Sequence, residues 1–404
     1  MPSRGEREQR GRAPLADSSA VRTASGRARL RVLIVGGGVA ALEAMLALHH
    51  LAEERVDVTL LCPESEFRYR PASVAVPFGR GQVHRYSLSD VTAAAGAHQQ
   101  RGVLVEVDTA AHRVVTDRHE ALTYDVLVIA CGARRLPVLP GALAFRGEED
   151  IAAIQELLEL ISVGAVKRVV FALPRGASWA LPLYELALLT ADYLARNRLS
   201  AVSLHLVTPE ERPLAQFGGD ASAAVAQLLD DRHIAVHTGA YPVAVYPNQL
   251  MLIPHATLPA DRVVCIPAAR GVPIPGLPHD QEGFLTTDQL GQVHGVQDVY
   301  AAGDITAYPI KQGGIAAQQA DMVAHAIAKR AGAPLDEPPP LRPVLRGLLI
   351  TGGEPHYLLA DPTGGRGQTA ASSTEPLWWP GGKIAAHHLG PYLAQARHLT
   401  HDQV

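Results

Sequence analysis

Arg31-Val-Leu-Ile-Val-Gly36-Gly-Gly-Val-Ala-Ala41 is the stretch that decides the fold. Val32 to Val35 form an unbroken apolar run, the pattern of a strand buried on both faces. Gly36-Gly-Gly38 breaks the strand, and Ala40 to Leu51 reads as a helix. Val56-Asp-Val-Thr-Leu-Leu61 is the next strand, so the stretch opens a βαβ unit of about 30 residues. In Gly36-x-Gly38-x-x-Ala41, the first glycine permits a tight turn and the second leaves room for a pyrophosphate beside the backbone. Ala41 lets helix and strand pack closely. The helix start offers free N–H groups and partial positive charge to phosphates.

Such sites usually end the second strand with Asp or Glu, which holds ribose hydroxyls. Here the strand ends Leu60-Leu61-Cys62, and Glu64 stands two residues late. Two readings stand for Glu64: a ribose ligand, or an exposed loop carboxylate. Far downstream, Val299-Tyr-Ala-Ala-Gly303-Asp304 is a strand ending in Gly-Asp. An acid there can accept hydrogen bonds from a ribityl chain, and Gly303 permits close approach. Between these motifs lies a second βαβ-like unit. It contains strand Lys167 to Leu173, the turn Pro174-Arg-Gly-Ala-Ser178, a helix from Pro182 to Ala195 and strand Val202 to Val207. Proline-rich crossings at Leu136 to Pro140 and Pro267 to Pro278 bracket it.

The order implies an α/β protein: two Rossmann-like, three-layer dinucleotide-binding domains, the second inserted in the first, plus a small C-terminal α+β region. The boundaries expected are a disordered polar tail at 1–28, a first domain at 29–145 and 280–332, an insert at 146–279 and a C-terminal region at 333–404. Pro338-Pro-Pro340 is the linker into that region, a hairpin flanks Gly352-Gly353, and Thr363 to Thr374 reads as loop.

The whole arrangement resembles the pyridine nucleotide–disulfide oxidoreductase superfamily over about Leu30 to Arg330. The resemblance rests on the first glycine motif, on Tyr124 to Ala133 with its Cys131-Gly132-Ala, and on Tyr300-Ala-Ala-Gly-Asp304. It implies FAD, with Gly36 and Gly38 at the pyrophosphate and Asp304 at the ribitol. Within the superfamily the sequence is similar to sulfide:quinone oxidoreductases and type II NADH dehydrogenases. Phe67-Arg-Tyr-Arg70-Pro71 looks like the flavin-side loop, and Lys311-Gln312-Gly-Gly314 opens a helix where the family contacts the flavin pyrimidine edge. Lys311 would stabilise negative charge on reduced flavin, or is a solvated lysine at a helix start. Cys131 is a flavin neighbour or a small buried hydrophobe. Trp378-Trp379 and Pro391-Tyr-Leu resemble the quinone and membrane region. They would anchor at an interface, or pack against the second domain or a dimer partner.

The resemblance breaks at two places. Gly176-Ala-Ser178 is followed by Trp179 where the sulfide enzymes carry a catalytic cysteine, and no cysteine follows Cys265. The turn of the second unit has one glycine and a proline, which weakens the case for NAD(P)H as donor. The function implied is an FAD-dependent oxidoreductase passing electrons from a small donor to a quinone-like acceptor. An NAD(P)H:quinone enzyme is the alternative, and a non-catalytic flavin-binding sensor or partner subunit is a third.

Composition agrees with that class. The chain has 404 residues, 47% of them hydrophobic, and a formal net charge of −4, which gives no sign of a nucleic-acid partner. Three cysteines, an odd and sparse count with no C-x-x-C pair, argue for a reducing, cytoplasmic setting, with contact at the inner face of the cell membrane as the extension of the quinone reading. No apolar run is long enough to span a bilayer. The 18 histidines show no metal spacing, and adjacent His387 and His388 would diverge on a helix.

Overall fold

Strand Leu30–Val35 runs through the middle of a parallel five-stranded sheet. Its neighbours are Val56–Cys62 and then His98–Arg101 on one side, Val126–Ile129 and then Val299–Ala301 on the other. The computed structural model describes residues 28–254, 256–337, 341–361 and 370–401. Residues 1–27 of the expected tail, the Pro338–Pro340 linker and most of the Thr363–Thr374 stretch lie outside the described residues.

Both faces of this sheet are covered, which explains its unbroken apolar runs. Val32 and Ile34 point to one face, where helix α1 (Val39–Ala52) packs. Leu33 and Val35 point to the other, under a three-stranded antiparallel sheet formed by Leu104–Asp108, Arg113–Thr116 and Ala121–Thr123. Helix α2 (Leu88–Ala94) starts two residues before Asp90 because the Ser87 hydroxyl accepts the Asp90 N–H at 3.3 Å and caps it.

The chain leaves this sheet after Ile129 and returns to it at Val299. Between, it builds a second parallel five-stranded sheet, ordered Leu143–Ala144, Arg262–Cys265, Arg168–Ala172, Ser203–Val207, Ile234–His237. Val169 and Phe171 face the apolar sides of α3 (Ile151–Ser162), α4 (Leu181–Arg196) and α5 (Gly219–Asp230). Val170 and Ala172 face a meander of Tyr241–Tyr246, Gln249–Ile253 and Ala256–Pro259. So each sheet is sandwiched between helices and a small antiparallel layer, and the second domain is inserted in the first. The outgoing and returning crossings pair as antiparallel strands, Arg134–Leu136 with Ala268–Arg270.

Helix α6 (Gly313–Arg330) follows the return strand and packs beside α1 on the first sheet. The C-terminal strands Leu345–Leu349 and His356–Ala360 pair as expected, but Ala371–Ser373 adds a third strand where the sequence reads as loop. Helix α7 (Leu389–His401) ends the described chain. His387 and His388 precede it rather than lying on it. Their rings therefore sit side by side, 4.5 Å apart, and do not diverge as expected of a helix.

Candidate functional site

The turn after the first strand begins at a position that only glycine can fill. Gly36 sits at φ +129, and a Cβ there would lie 2.3 Å from the Ala130 carbonyl oxygen. Its N–H is committed to Leu61 O at 2.9 Å, which locks the turn between two neighbouring strands. Gly38 differs: it is the N-cap of α1 at φ −95, with no side chain to cap the helix, and a Cβ would meet nothing within 4 Å. The first turn of α1 therefore opens onto free space. Ala41 is fully buried against the sheet.

The second motif meets the first in space. Gly303, at φ +83, rests on the start of α1, and a Cβ there would stand 3.0 Å from Ala40 Cβ and 3.4 Å from Ala316 Cβ. Its N–H donates to Gln319 Oε1 at 2.7 Å, which fixes the bend. Asp304 follows. Among the described residues no hydrogen bond reaches its carboxylate; it is balanced only through space by Arg135, Lys311 and Arg70. Burial raises its pKa from the ordinary carboxylate value, and those three cations pull it back down.

Lys311 stands just before α6, donates to Thr306 O, and lies over the Phe284 ring at 3.8 Å from its centroid. Burial lowers its pKa to about 8, against the opposing pull of Asp304, Asp280 and Glu282. Gln312 caps α6: its Oε1 accepts the Ile315 N–H at 2.8 Å while its Nε2 donates to Arg346 O at 3.0 Å. Its side chain is thus consumed in shaping the helix start.

Cys131 and Arg135 mark the wall between the motifs. Both reach solvent, yet the surrounding protein desolvates them: the Cys131 thiol is pushed up to about 11 and the Arg135 guanidinium is lowered. Cys131 is exposed rather than a buried hydrophobe, and at neutral pH it is a protonated thiol, a poor nucleophile. Gly132, at φ +75, turns the chain beside it. Arg70 and Pro71 begin a 3-10 segment, Arg70–Phe78, and Arg70 borders a depression of about 220 Å³ shared with Arg68, Arg146, Glu148 and Glu149. A larger depression, about 580 Å³, lies against α5 and shares no residue with this group. Glu64 is exposed beyond Cys62, and among the described residues its carboxylate makes no hydrogen bond or ion pair. Arg135 is the member that sequence reasoning missed, though it stands four residues past Cys131 on the same crossing.

The family model described as "Pyridine nucleotide-disulphide oxidoreductase" matches residues 30–326, from the first strand into α6. The chain belongs to that family. It is 26% identical over 298 residues to an NADH dehydrogenase-like protein of Mycobacterium tuberculosis, covering 69% of this chain and 73% of that one. Its fold is similar to that of the sulfide:quinone oxidoreductase of Aquifex aeolicus, with a TM-score of 0.76 at 20% identity over 85% and 87% of the two chains. It is also similar to NDH2 of Plasmodium falciparum, with a TM-score of 0.56 at 15% identity over 69% and 64%.

This oxidoreductase is FAD-dependent, and its residues fit the cofactor. The open space at Gly38, the close approach at Gly36 and the unbonded Asp304 carboxylate are what a pyrophosphate and a polyol chain require. FAD supplies the ring system that takes up an electron pair.

The inserted domain is built differently. Three residues, Gly36–Gly38, separate strand from α1, but eight, Leu173–Ala180, separate the equivalent strand from α4. Trp179 fills part of that longer turn, edge-on to Phe217 at 5.9 Å. The three cysteines are all free; Cys62 and Cys265 are buried in the cores of separate sheets.

Proposed function

We propose that the protein takes two electrons from a small donor at its flavin and passes them to a quinone-like acceptor, as a sulfide:quinone oxidoreductase-like enzyme without a thiol relay. The observation that carries this reading is Trp179. An indole packed on Phe217 occupies the turn where a nicotinamide nucleotide or a relay thiol would have to stand. The donor then reacts at the flavin directly, in the cleft walled by Cys131, Arg135 and Lys311. Gly36, Gly38, Ala41 and Gly303 shape the cofactor cradle, and Asp304 holds the ribitol. Arg70, Pro71, Gly132 and the Gln312 helix start border the ring, and Glu64 is the ribose candidate. Lys311 stabilises the reduced flavin.

One observation favours a second reading, NAD(P)H:quinone oxidoreduction. Glu210 lies just beyond strand Ser203–Val207, where a nucleotide domain places its ribose carboxylate. Tyr184 Oη at 2.6 Å and Thr208 Oγ1 at 2.8 Å both donate to Oε2 of that carboxylate, which fixes it and leaves Oε1 for a ribose hydroxyl. A quinone-like acceptor implies contact with a membrane surface. No helix among the described residues is long and apolar enough to cross one, so that contact would be peripheral, through the C-terminal region.

Anaerobic bleaching of the flavin band near 450 nm tests the proposal. Sulfide and small thiols are expected to bleach the purified protein faster than NADH or NADPH, and a soluble quinone to restore the colour. Faster bleaching by either nicotinamide nucleotide would transfer the assignment to the second reading. No bleaching by any of them would end both.

A further inference from the structure

Away from the flavin cleft, α1, α6 and the segment leading into α7 bring together three side chains that no step above uses. Asp321 on α6, His387 and His388 each present one donor atom, and the three atoms lie within 4.8 Å of one another. His388 Nε2 is 3.9 Å from Asp321 Oδ1. The His50 ring of α1 stands 5.4 Å from that of His388. We propose that Asp321, His387 and His388 form a binding site for a borderline divalent metal ion, zinc(II) in the first instance, which pins the C-terminal segment to α6.

Two independent observations support a cation there. The first is an orphan. Asp321 Oδ1 is buried from solvent and makes no hydrogen bond. Buried polar atoms are almost always paired, and an unpaired carboxylate oxygen aimed at two imidazoles is a ligand waiting for an ion. The second is a pair of carboxylates with no cationic side chain between them. Glu43 of α1 is fully buried beside Asp321, and its two oxygens are taken by the backbone N–H groups of His388 at 2.8 Å and Leu389 at 2.6 Å. Among the described residues no lysine or arginine pairs with the two carboxylates; the titratable side chains beside Asp321 are Glu43, His387 and His388.

The donor set selects the ion. Two imidazole nitrogens and one carboxylate oxygen suit zinc, nickel or copper, not magnesium or calcium, which require oxygen ligands. Tetrahedral zinc with bonds of about 2.0–2.2 Å needs ligand atoms roughly 3.4 Å apart, which small rotamer changes supply from the present separations. His387 is exposed, so an ion can enter from solvent, and water or His50 completes the shell. Three ligands with an open fourth position bind reversibly, and acid releases the ion by protonating the imidazoles.

The test uses the full-length, FAD-loaded protein with any affinity tag removed, dialysed against a chelator and titrated with zinc(II) against a chromophoric zinc indicator. One zinc per chain is expected, with a rise in the thermal midpoint. His387→Ala changes an exposed side chain and leaves flavin content and metal-free stability unchanged. It is expected to weaken the binding by more than the ~10–100-fold seen on loss of an outer-shell partner. Asp321→Asn is expected to do the same. If the wild-type chain binds no zinc, or His387→Ala binds it equally well, the proposal is wrong.

Discussion

Two glycines in one turn have opposite jobs, and substitution separates them. Gly36 is held by backbone: a methyl there would collide with Ala130 O and φ +129 would be strained. Gly36→Ala is expected to destabilise the protein itself by at least about 1–3 kcal/mol, the usual cost of such strain. Gly38 is unconstrained by protein, so Gly38→Ala should leave the stability of the cofactor-free chain within about 0.5 kcal/mol while sharply weakening FAD binding. Flavin content and thermal unfolding, measured on both variants, decide the matter; a Gly38→Ala protein that still purifies fully yellow would remove the pyrophosphate from that spot. Lys311 gives a second contrast. With its pKa held down to about 8 by burial, it carries charge at neutral pH and loses it as the pH rises through that value. A cation near the flavin favours the reduced, anionic form. Lys311→Met should therefore lower the flavin midpoint potential at pH 7 by on the order of 30 mV, equivalent to about 1.4 kcal/mol for two electrons. Because the wild-type lysine is neutral above pH 8, the gap between the two proteins should close there. Spectroelectrochemistry at pH 7 and pH 9 reads both; a gap independent of pH would show that Lys311's charge is not the cause.

At the scale of elements, the sequence shows most plainly what backbone geometry dictates. Gly36 and Gly303 are readable because positive φ and close approach of neighbouring atoms leave glycine little competition, and Gly38 because the motif sets its spacing from Gly36. The central strands Leu30–Val35 and Val126–Ile129 are readable because burial on two faces leaves them almost wholly apolar, whereas the edge strand His98–Arg101 is polar throughout and carries no such signal. The meander at Tyr241–Pro259 is not readable: only one of its faces packs, and its outer face still carries Tyr241, Tyr246 and Met251, which blurs the alternation. Helix α3 was legible in principle, since Ile154, Leu157, Leu158 and Ile161 repeat at helical spacing. Contacts set by tertiary packing leave no local signal. Glu185, entirely buried on α4, is held by Lys383 Nζ at 2.6 Å from both of its oxygens and accepts the Ile350 N–H at 2.9 Å. Breaking such a pair strands a buried charge. Lys383→Met is expected to cost about 3–5 kcal/mol in urea unfolding. Glu185→Gln combined with Lys383→Met should recover most of it, because the amide still accepts from Ile350. Equal losses in the single and double variants would mean that packing, not charge, is what Lys383 contributes.

For the whole molecule, the C-terminal region is a strap across both domains. Lys383 ties it to α4 of the insert, Glu43 of the first domain caps α7, and Tyr69 Oη accepts the Ile384 N–H at 3.2 Å. So many anchors leave this strap little freedom, and they orient the aromatic pair it carries. Trp378 is turned inward, its Nε1 donating to Gly382 O at 2.9 Å and its ring edge-on to Tyr357 at 5.0 Å. Trp379 is 82% exposed and points away. An immobilised indole in water wastes apolar area, unless the surface it meets is not water. With a formal net charge of −4 the protein gains little from anionic headgroups, so attraction to a membrane would have to come from apolar insertion. The quinone reading therefore predicts that the intact protein partitions onto neutral phosphatidylcholine vesicles. Trp379→Ser should weaken that partition about tenfold, about 1.4 kcal/mol, with flavin content and unfolding unchanged. Sedimentation with vesicles measures it directly. If the wild-type protein stays in the supernatant, or the serine variant pellets equally, the strap does not present Trp379 to lipid, and an acceptor that diffuses in water takes the place of a membrane quinone.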